Sequence, residues 1–276
     1  MSVSAAHFPS DRLFLLAGPC QLEDDALNLR VGEALARLAE QVPGGIVFKA
    51  SFDKANRSNV DGVRGPGLEA GLAALDRVRA ATGLPILTDV HEPAQCAAAG
   101  QVVDVLQIPA FLCRQTDLLL AAGATGKSVN VKKGQWMHPE GMKGAVRKVE
   151  AGATLAGRTV GPMAVTERGT FFGYGDLVVD MRAFARMREA CQVPAIFDGT
   201  HSVQKPGLGA GGTSGGAREF IAPLTYAAVA AGAQGLFLET HPDPDNAPSD
   251  GPNMIPLHEL PDLVMRAVDI WDRARR

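Results

Sequence analysis

The sequence predicts a single-domain (β/α)8, or TIM, barrel spanning residues 1–276 with a short N-terminal extension, and three observations predict it. The chain has 276 residues, 46% of them hydrophobic, which suits one large α/β core better than two small ones. Short apolar runs, often β-branched, alternate with longer stretches rich in Ala, Leu, Glu and Arg, the pattern of repeated βα units around a buried parallel sheet. Each run stays apolar until its carboxyl end and then delivers a polar or ionisable group. In a closed barrel all such ends meet at one face, where barrel enzymes keep their active sites. An open doubly wound sheet would spread the same groups along a row and ranks second.

In chain order the runs are LFLLAG from Leu13, GIVFKA from Gly45, PILTDV from Pro85, VVDVLQ from Val102, SVNVKK from Ser128, PMAVTE from Pro162, PAIFDG from Pro194 and GLFLET from Gly235. Their ends deliver Cys20; Lys49; Asp89 and His91; Gln107; Lys132 and Lys133; Glu167 and Arg168; Asp198 and His201; Glu239 and His241. Between them, helical periodicity predicts helices over Asp24 to Gln41, Gly67 to Thr82, Leu177 to Cys191 and Arg218 to Ala231, with shorter ones over Pro93 to Ala99 and Gln115 to Ala122. The glycine-rich stretch from Gly207 to Gly216, which follows His201 and Lys205, reads either as a flexible connector or as a lid over the barrel mouth.

A formal net charge of −3 and the absence of a long Lys/Arg run argue against a nucleic-acid surface. The start lacks a basic leader, and the apolar run from Leu13 is far too short to cross a bilayer, so a cytoplasmic protein with no membrane partner is expected. The four cysteines, Cys20, Cys96, Cys113 and Cys191, are widely spaced with no CxxC pair, which argues against a disulfide framework. Cys96, Cys113 and Cys191 read as structural, His138 as part of a turn, and His7 and His258 as exposed.

Two constellations carry chemistry. FKASFDKANRSNVDGVRGPG places Lys49, Lys54, Asn56, Arg57 and Ser58 at the end of the second strand and in the loop after it. An ordinary solvated basic loop would be the bland reading, but Lys132, Lys133 and Arg168 arrive from other strand ends at the same face. Converging cations in a net-negative protein point to a multiply anionic ligand, two phosphates or a phosphate and a carboxylate. The second constellation is Cys20, His201, Glu239 and Asp250. A thiol, an imidazole and two carboxylates suit a divalent ion such as Zn2+, Fe2+ or Mn2+, and barrel closure makes the first and eighth strands neighbours. Asp89 and His91, in TDVHEP, read as a base or a substrate-binding pair, or Asp89 as the cap of the next helix. AAGATGKS, ending at Ser128, is set aside as a phosphate-binding loop because Ala121 stands where its first glycine belongs and the stretch runs into a strand.

From about Leu13 to Leu257 the motifs LAGPC, FKASFDKANRS, RGPGLEAGL, TDVHEP, LQIPAFLCRQTDLL, VNVKKGQ, ERGTFFGYGDLVVDMR, FDGTHSVQKPG and LETHPDPDNAPSDGPN resemble those of the 3-deoxy-D-manno-octulosonate 8-phosphate synthases, also called 2-dehydro-3-deoxyphosphooctonate aldolases. The resemblance implies a homotetrameric barrel that condenses phosphoenolpyruvate with D-arabinose 5-phosphate and water, a step toward lipopolysaccharide. It implies that Lys49, Lys54, Lys133 and Arg168 hold phosphoenolpyruvate, with Gln107, Pro109, Ala110 and Phe111 lining the same pocket. Asn56, Arg57 and Ser58 are implied for the sugar phosphate, with Asp89 also counted as substrate-binding and His201 as catalytic. Cys20 resembles the metal-dependent members, which carry Cys where metal-independent ones carry Asn. It implies Cys20, His201, Glu239 and Asp250 as metal ligands, with no organic cofactor. SDGPN around Asp250 looks more like the metal-independent type, which leaves the strictness of the metal requirement open. Two alternatives stand beside this reading. One is the sister synthase that uses erythrose 4-phosphate, against which KANRS argues because that family resembles KPRTS there. The other is a catalytically silent sugar-phosphate-binding barrel.

Overall fold

The computed structural model of the chain describes residues 7–57, 60–205 and 215–275. Its centre is a closed barrel of parallel strands: β1 (Phe14–Gly18), β2 (Ile46–Lys49), β3 (Ile86–Asp89), β4 (Val105–Ile108), β5 (Ser128–Lys132), β6 (Met163–Glu167), β7 (Ala195–Asp198) and β8 (Gly235–His241). Each strand pairs with the next, and β8 pairs back onto β1 with Phe14 opposite Gly235 and Gly18 opposite Glu239. All eight apolar runs of the sequence are barrel strands. The helices outside are α1 (Asp25–Ala39), α2 (Leu68–Thr82), α3 (Pro93–Val102), α4 (Thr116–Ala124), α5 (Met142–Leu155), α6 (Ala183–Cys191), α7 (Ile221–Ala230) and α8 (Leu260–Ala274). No described helix is long and apolar enough to cross a membrane.

Because side chains alternate across a strand, the inner residues read in steps of two. Val47 is followed by Lys49, Leu87 by Asp89, Val105 by Gln107, Ala164 by Thr166, Ile196 by Asp198 and Phe237 by Glu239. The first member of each pair joins Phe8, Phe14 and Leu16 in one buried apolar cluster, while the alternate residues belong to the larger cluster shared with the helices. Phe8 lies in the N-terminal extension and packs on Phe14 with ring centroids 5.7 Å apart. The barrel therefore has an apolar floor and a polar upper layer, and the upper layer holds the reactive groups.

The outer shell follows from amphipathic spacing. α8 buries Leu260, Leu263, Val264, Ala267, Val268 and Trp271, a three-four repeat that turns one stripe inward. Asp24 caps α1 by accepting the Leu27 N–H at 2.8 Å. Glu92 and Gln95 form a capping box on α3, so Asp89 is not that helix's cap. α4 and α5 cross at backbone contact: a Cβ added at Gly123 would lie 2.0 Å from the Val149 carbonyl oxygen, and one at Gly152 would lie 2.1 Å from that of Leu120. Replacing Gly152 by Ala is therefore expected to destabilise the fold by about 2–3 kcal/mol, as overpacking does, measured by urea unfolding. An unchanged midpoint would mean that the helices separate without cost.

One expected helix starts later than its pattern suggests. Leu177 lies not in a helix but in a hairpin, Thr170–Gly173 against Asp176–Val178. Gly175, at φ 89°, lets the chain reverse beside Tyr174. α6 begins only after Asp180, whose carboxylate accepts the Arg182 N–H at 3.0 Å. Of the glycine-rich stretch, Gly215 and Gly216 pair antiparallel with Gln204 and Lys205; the rest of it, and Ser58, lie outside the described residues. His7, expected to be exposed, is half-buried, with Nδ1 2.8 Å from Ser128 Oγ. The four cysteines are free and buried.

Candidate active site

The strand ends enclose a cavity of about 640 Å3 whose lining includes Lys49, Lys54, Asn56, Arg57, Lys132 and Arg168. Asp89, Gln107, Pro109, Ala110, Phe111, His201 and Asp250 complete most of the predicted set on the same wall. Arg57 from the loop after β2 and Asp250 from the loop after β8 meet here because closure brings β8 beside β1, the neighbour of β2.

The buried charges are paired. Lys49 donates to Glu239 Oε1 at 2.6 Å and to the Cys20 carbonyl at 2.9 Å. Lys132 donates to Asp198 Oδ2 at 2.6 Å and lies 3.4 Å from the centroid of the Phe237 ring. Desolvation by burial pulls Lys132 below the ordinary lysine range although Asp198 opposes it. Burial alone would raise Asp89, but Lys49 and Lys54 outweigh it and hold that carboxyl well below the usual range. Desolvation likewise opposes the charged form of Lys54, and the negative charge of Glu239, Asp89 and Asp250 overrides it, leaving Lys54 above the usual lysine range. Arg168 donates through Nη2 to Gln204 Oε1 at 2.5 Å, while its buried Nη1 has no protein partner among the described residues. A buried guanidinium nitrogen without a partner is a donor left for a ligand.

Lys132 and Lys133 separate here. Lys133, expected on the phosphoenolpyruvate pocket, does not line the cavity. It points outward from the barrel and is fully buried, with Nζ 3.4 Å from Glu167 Oε2 and donating to Thr170 Oγ1, the Met137 carbonyl and the Gly134 carbonyl. The alternation along β5 turns Asn130 and Lys132 inward and the next residue out.

Arg57 joins two loops. Its Nη1 donates to Ser249 Oγ and its Nη2 to Gln21 Oε1, each at 2.8 Å, so the loop after β2 is tied to the loops after β1 and β8. Nothing in the spacing of Gln21, Gln204 or Ser249 announced these roles.

The four candidate metal ligands converge. Single ligand atoms of Cys20, Glu239 and Asp250 lie within 4.8 Å of one another, and His201 Nε2 is 3.7 Å from Glu239 Oε2 and 3.9 Å from Asp250 Oδ2. His201 Nδ1 rests 2.8 Å from Asp198 Oδ2, which orients the ring so that Nε2 faces the cluster. Glu239 Oε2 is buried with no hydrogen-bond partner among the described residues. Burial first, and the charge of Glu239 second, push the Cys20 thiol up to about 12; the thiol donates to Ser249 Oγ at 3.2 Å and to Asp250 Oδ2 at 3.3 Å. Asp250 sits at φ 51°, a left-handed conformation uncommon outside glycine and one that marks functional loops. An orphaned carboxylate oxygen facing an oriented imidazole and a thiol fits a divalent cation of intermediate hardness.

Fold and site together define the class: a (β/α)8-barrel enzyme with a cation-rich mouth beside a thiol–imidazole–carboxylate cluster. The chain belongs to the DAHP synthetase I family, whose model matches residues 8–270. It is 56% identical over 267 residues to a protein of Nitrobacter winogradskyi named 2-dehydro-3-deoxyphosphooctonate aldolase, with 96% of this chain and 91% of that one covered. Proteins of the same name from Rhodopseudomonas palustris (56% over 264 residues, covering 96% and 90%) and Syntrophotalea carbinolica (54% over 258 residues, covering 92% and 90%) are also similar to it.

Proposed function

We propose that this chain condenses phosphoenolpyruvate with D-arabinose 5-phosphate and water, giving 3-deoxy-D-manno-octulosonate 8-phosphate and inorganic phosphate for lipopolysaccharide assembly. One observation carries the reading: Lys49, Lys54, Arg57, Lys132 and Arg168 line one cavity, and the buried Nη1 of Arg168 has no protein partner there among the described residues, a charged donor left for an anionic ligand. The name shared by relatives that cover nine-tenths of their length supplies the substrates.

In this reading Lys49, Lys54, Lys132 and Arg168 neutralise phosphoenolpyruvate, with Gln107 and the Pro109–Phe111 stretch forming the wall against it. Lys133, paired with Glu167, acts from behind that wall by fixing the turn after β5. Asn56, Arg57 and Ser58 take the sugar phosphate, and Asp89 accepts a hydrogen bond from a sugar hydroxyl. C3 of phosphoenolpyruvate attacks the aldehyde carbon, water adds at C2, and phosphate leaves by C–O cleavage. Cys20, His201, Glu239 and Asp250 would hold a divalent ion, Zn2+, Fe2+ or Mn2+, and when bound it supplies Lewis acidity toward the aldehyde or the attacking water. Residues 1–276 act as one catalytic domain, without an organic cofactor. The same reading carries a cytoplasmic location, supported by four free cysteines. It also carries a homotetramer, supported by exposed aromatic side chains: Phe111 and Trp136, stacked 6.2 Å apart, and separately Phe172 and Tyr174.

The test is the initial rate of phosphate release from phosphoenolpyruvate with each sugar phosphate, before and after chelation and Mn2+ addition. Turnover with arabinose 5-phosphate alone, lost on chelation and restored by Mn2+, is the expected result. Preference for erythrose 4-phosphate would overturn the substrate, and turnover unaffected by chelation would remove the metal from the mechanism.

A further inference from the structure

Four strands of the barrel are tied together by side chains as well as by backbone. Thr166 Oγ1 donates to Asn130 Oδ1 at 2.7 Å, Asn130 Nδ2 donates to Gln107 Oε1 at 2.8 Å, and Gln107 Nε2 donates to Asp89 Oδ1 at 2.5 Å. Ser51 donates to the other Asp89 oxygen and accepts from Lys54 Nζ at 3.0 Å. The relay crosses β6, β5, β4 and β3 in order, one inward side chain from each. Thr166 and Asn130 are fully buried, and only Asp89 and Gln107 of these four line the cavity.

The relay has one permitted polarity, and its charged end sets it. Asp89, between Lys49 and Lys54, is a carboxylate and can only accept. Gln107 must therefore turn its amide nitrogen to Asp89 and its oxygen away. That oxygen needs a donor, so Asn130 presents its nitrogen; the Asn130 oxygen needs another, and the Thr166 hydroxyl provides it. Each amide is held against a flip because reversing one link sets oxygen against oxygen or nitrogen against nitrogen.

We infer that Asn130 and Thr166 are positioning residues for the reaction, acting through Gln107. They fix its carboxamide so that Asp89 remains the acceptor of the cavity and the second amide hydrogen of Gln107 stays available to a ligand. The inference rests on the proposed activity, since it assumes that Gln107 and Asp89 meet the substrates.

The test is a double-mutant cycle on Thr166→Val and Gln107→Ala, with Thr166→Ser as the conservative control, read as kcat and both KM values beside the thermal midpoint. Thr166→Val keeps the shape and removes the terminal donor. It is expected to lower kcat/KM about tenfold, a coupling of ordinary size for groups in one network, whereas Thr166→Ser keeps wild-type values. In the Gln107→Ala background Thr166→Val should cost nothing further. The inference is overturned if Thr166→Val lowers only the thermal midpoint with kcat and both KM values intact, or if it costs the same factor in both backgrounds. Should the wild-type protein release no phosphate, the functional reading fails by itself. The same four proteins then decide the inference by calorimetric binding of phosphoenolpyruvate, with a non-additive loss of affinity supporting it and an additive or absent loss overturning it.

Discussion

Replacing Lys132 by methionine is expected to lower kcat/KM for phosphate release by a factor of about 10³ or more, the scale of losing one preorganised charge from a buried site. Lys132 is the inward lysine of β5, lines the cavity, and is held at 2.6 Å by Asp198 above the Phe237 ring. Methionine preserves length and burial and removes the charge. Asp198 keeps a partner in His201 Nδ1, 2.8 Å away, so a folded though weakened protein is expected. Lys133→Met gives the opposite pattern: it strands Glu167 in the interior, and breaking a buried pair typically costs about 3–5 kcal/mol. Stability should fall more than turnover per folded molecule. Steady-state kinetics and urea unfolding on both variants separate the two lysines. Near-normal kcat/KM in Lys132→Met beside a folded, inactive Lys133→Met would return the phosphoenolpyruvate role to Lys133.

The second large effect concerns the proposed metal site. Cys20→Ala is expected to weaken divalent-ion binding by a factor of about 10² or more, since removing even an outer partner of a ligand costs about 10–100-fold. Phosphate release should fall in parallel. The substitution trades a small buried thiol for a methyl group, and the partners it leaves, Ser249 and Asp250, keep Arg57 and Gln204, so folding should survive. Equilibrium dialysis against Mn2+ with metal analysis reads the first effect independently of turnover. Stoichiometric metal held at unchanged affinity would remove Cys20 from the ligand set.

Most of the barrel was legible because its signals are local. Each strand announces itself by an apolar run that ends in a polar group, and closure follows from their number and order. The hairpin before α6 was not legible in the same way. Leu177 and Val178 read as the start of a helix, and Gly175, at φ 89°, decides otherwise by allowing the reversal. The cavity cations and the candidate metal ligands were legible as residue types at or beyond strand ends, but their partners were not. Gln21, Gln204 and Ser249 earn their places through contacts of long sequence separation, such as Arg57 with Ser249, which no spacing rule encodes. The choice between Lys132 and Lys133 lay between these extremes. Counting in twos from Asn130 along β5 points to Lys132, a signal present in the sequence once the strand's inner face is known.

The apolar floor of the barrel has a consequence for traffic. With Phe8, Phe14, Leu16 and Phe237 packed across the lower half, the interior is a blind vessel rather than a tunnel. Both reactants arrive by the rim, and an eight-carbon product and a phosphate ion must depart the same way.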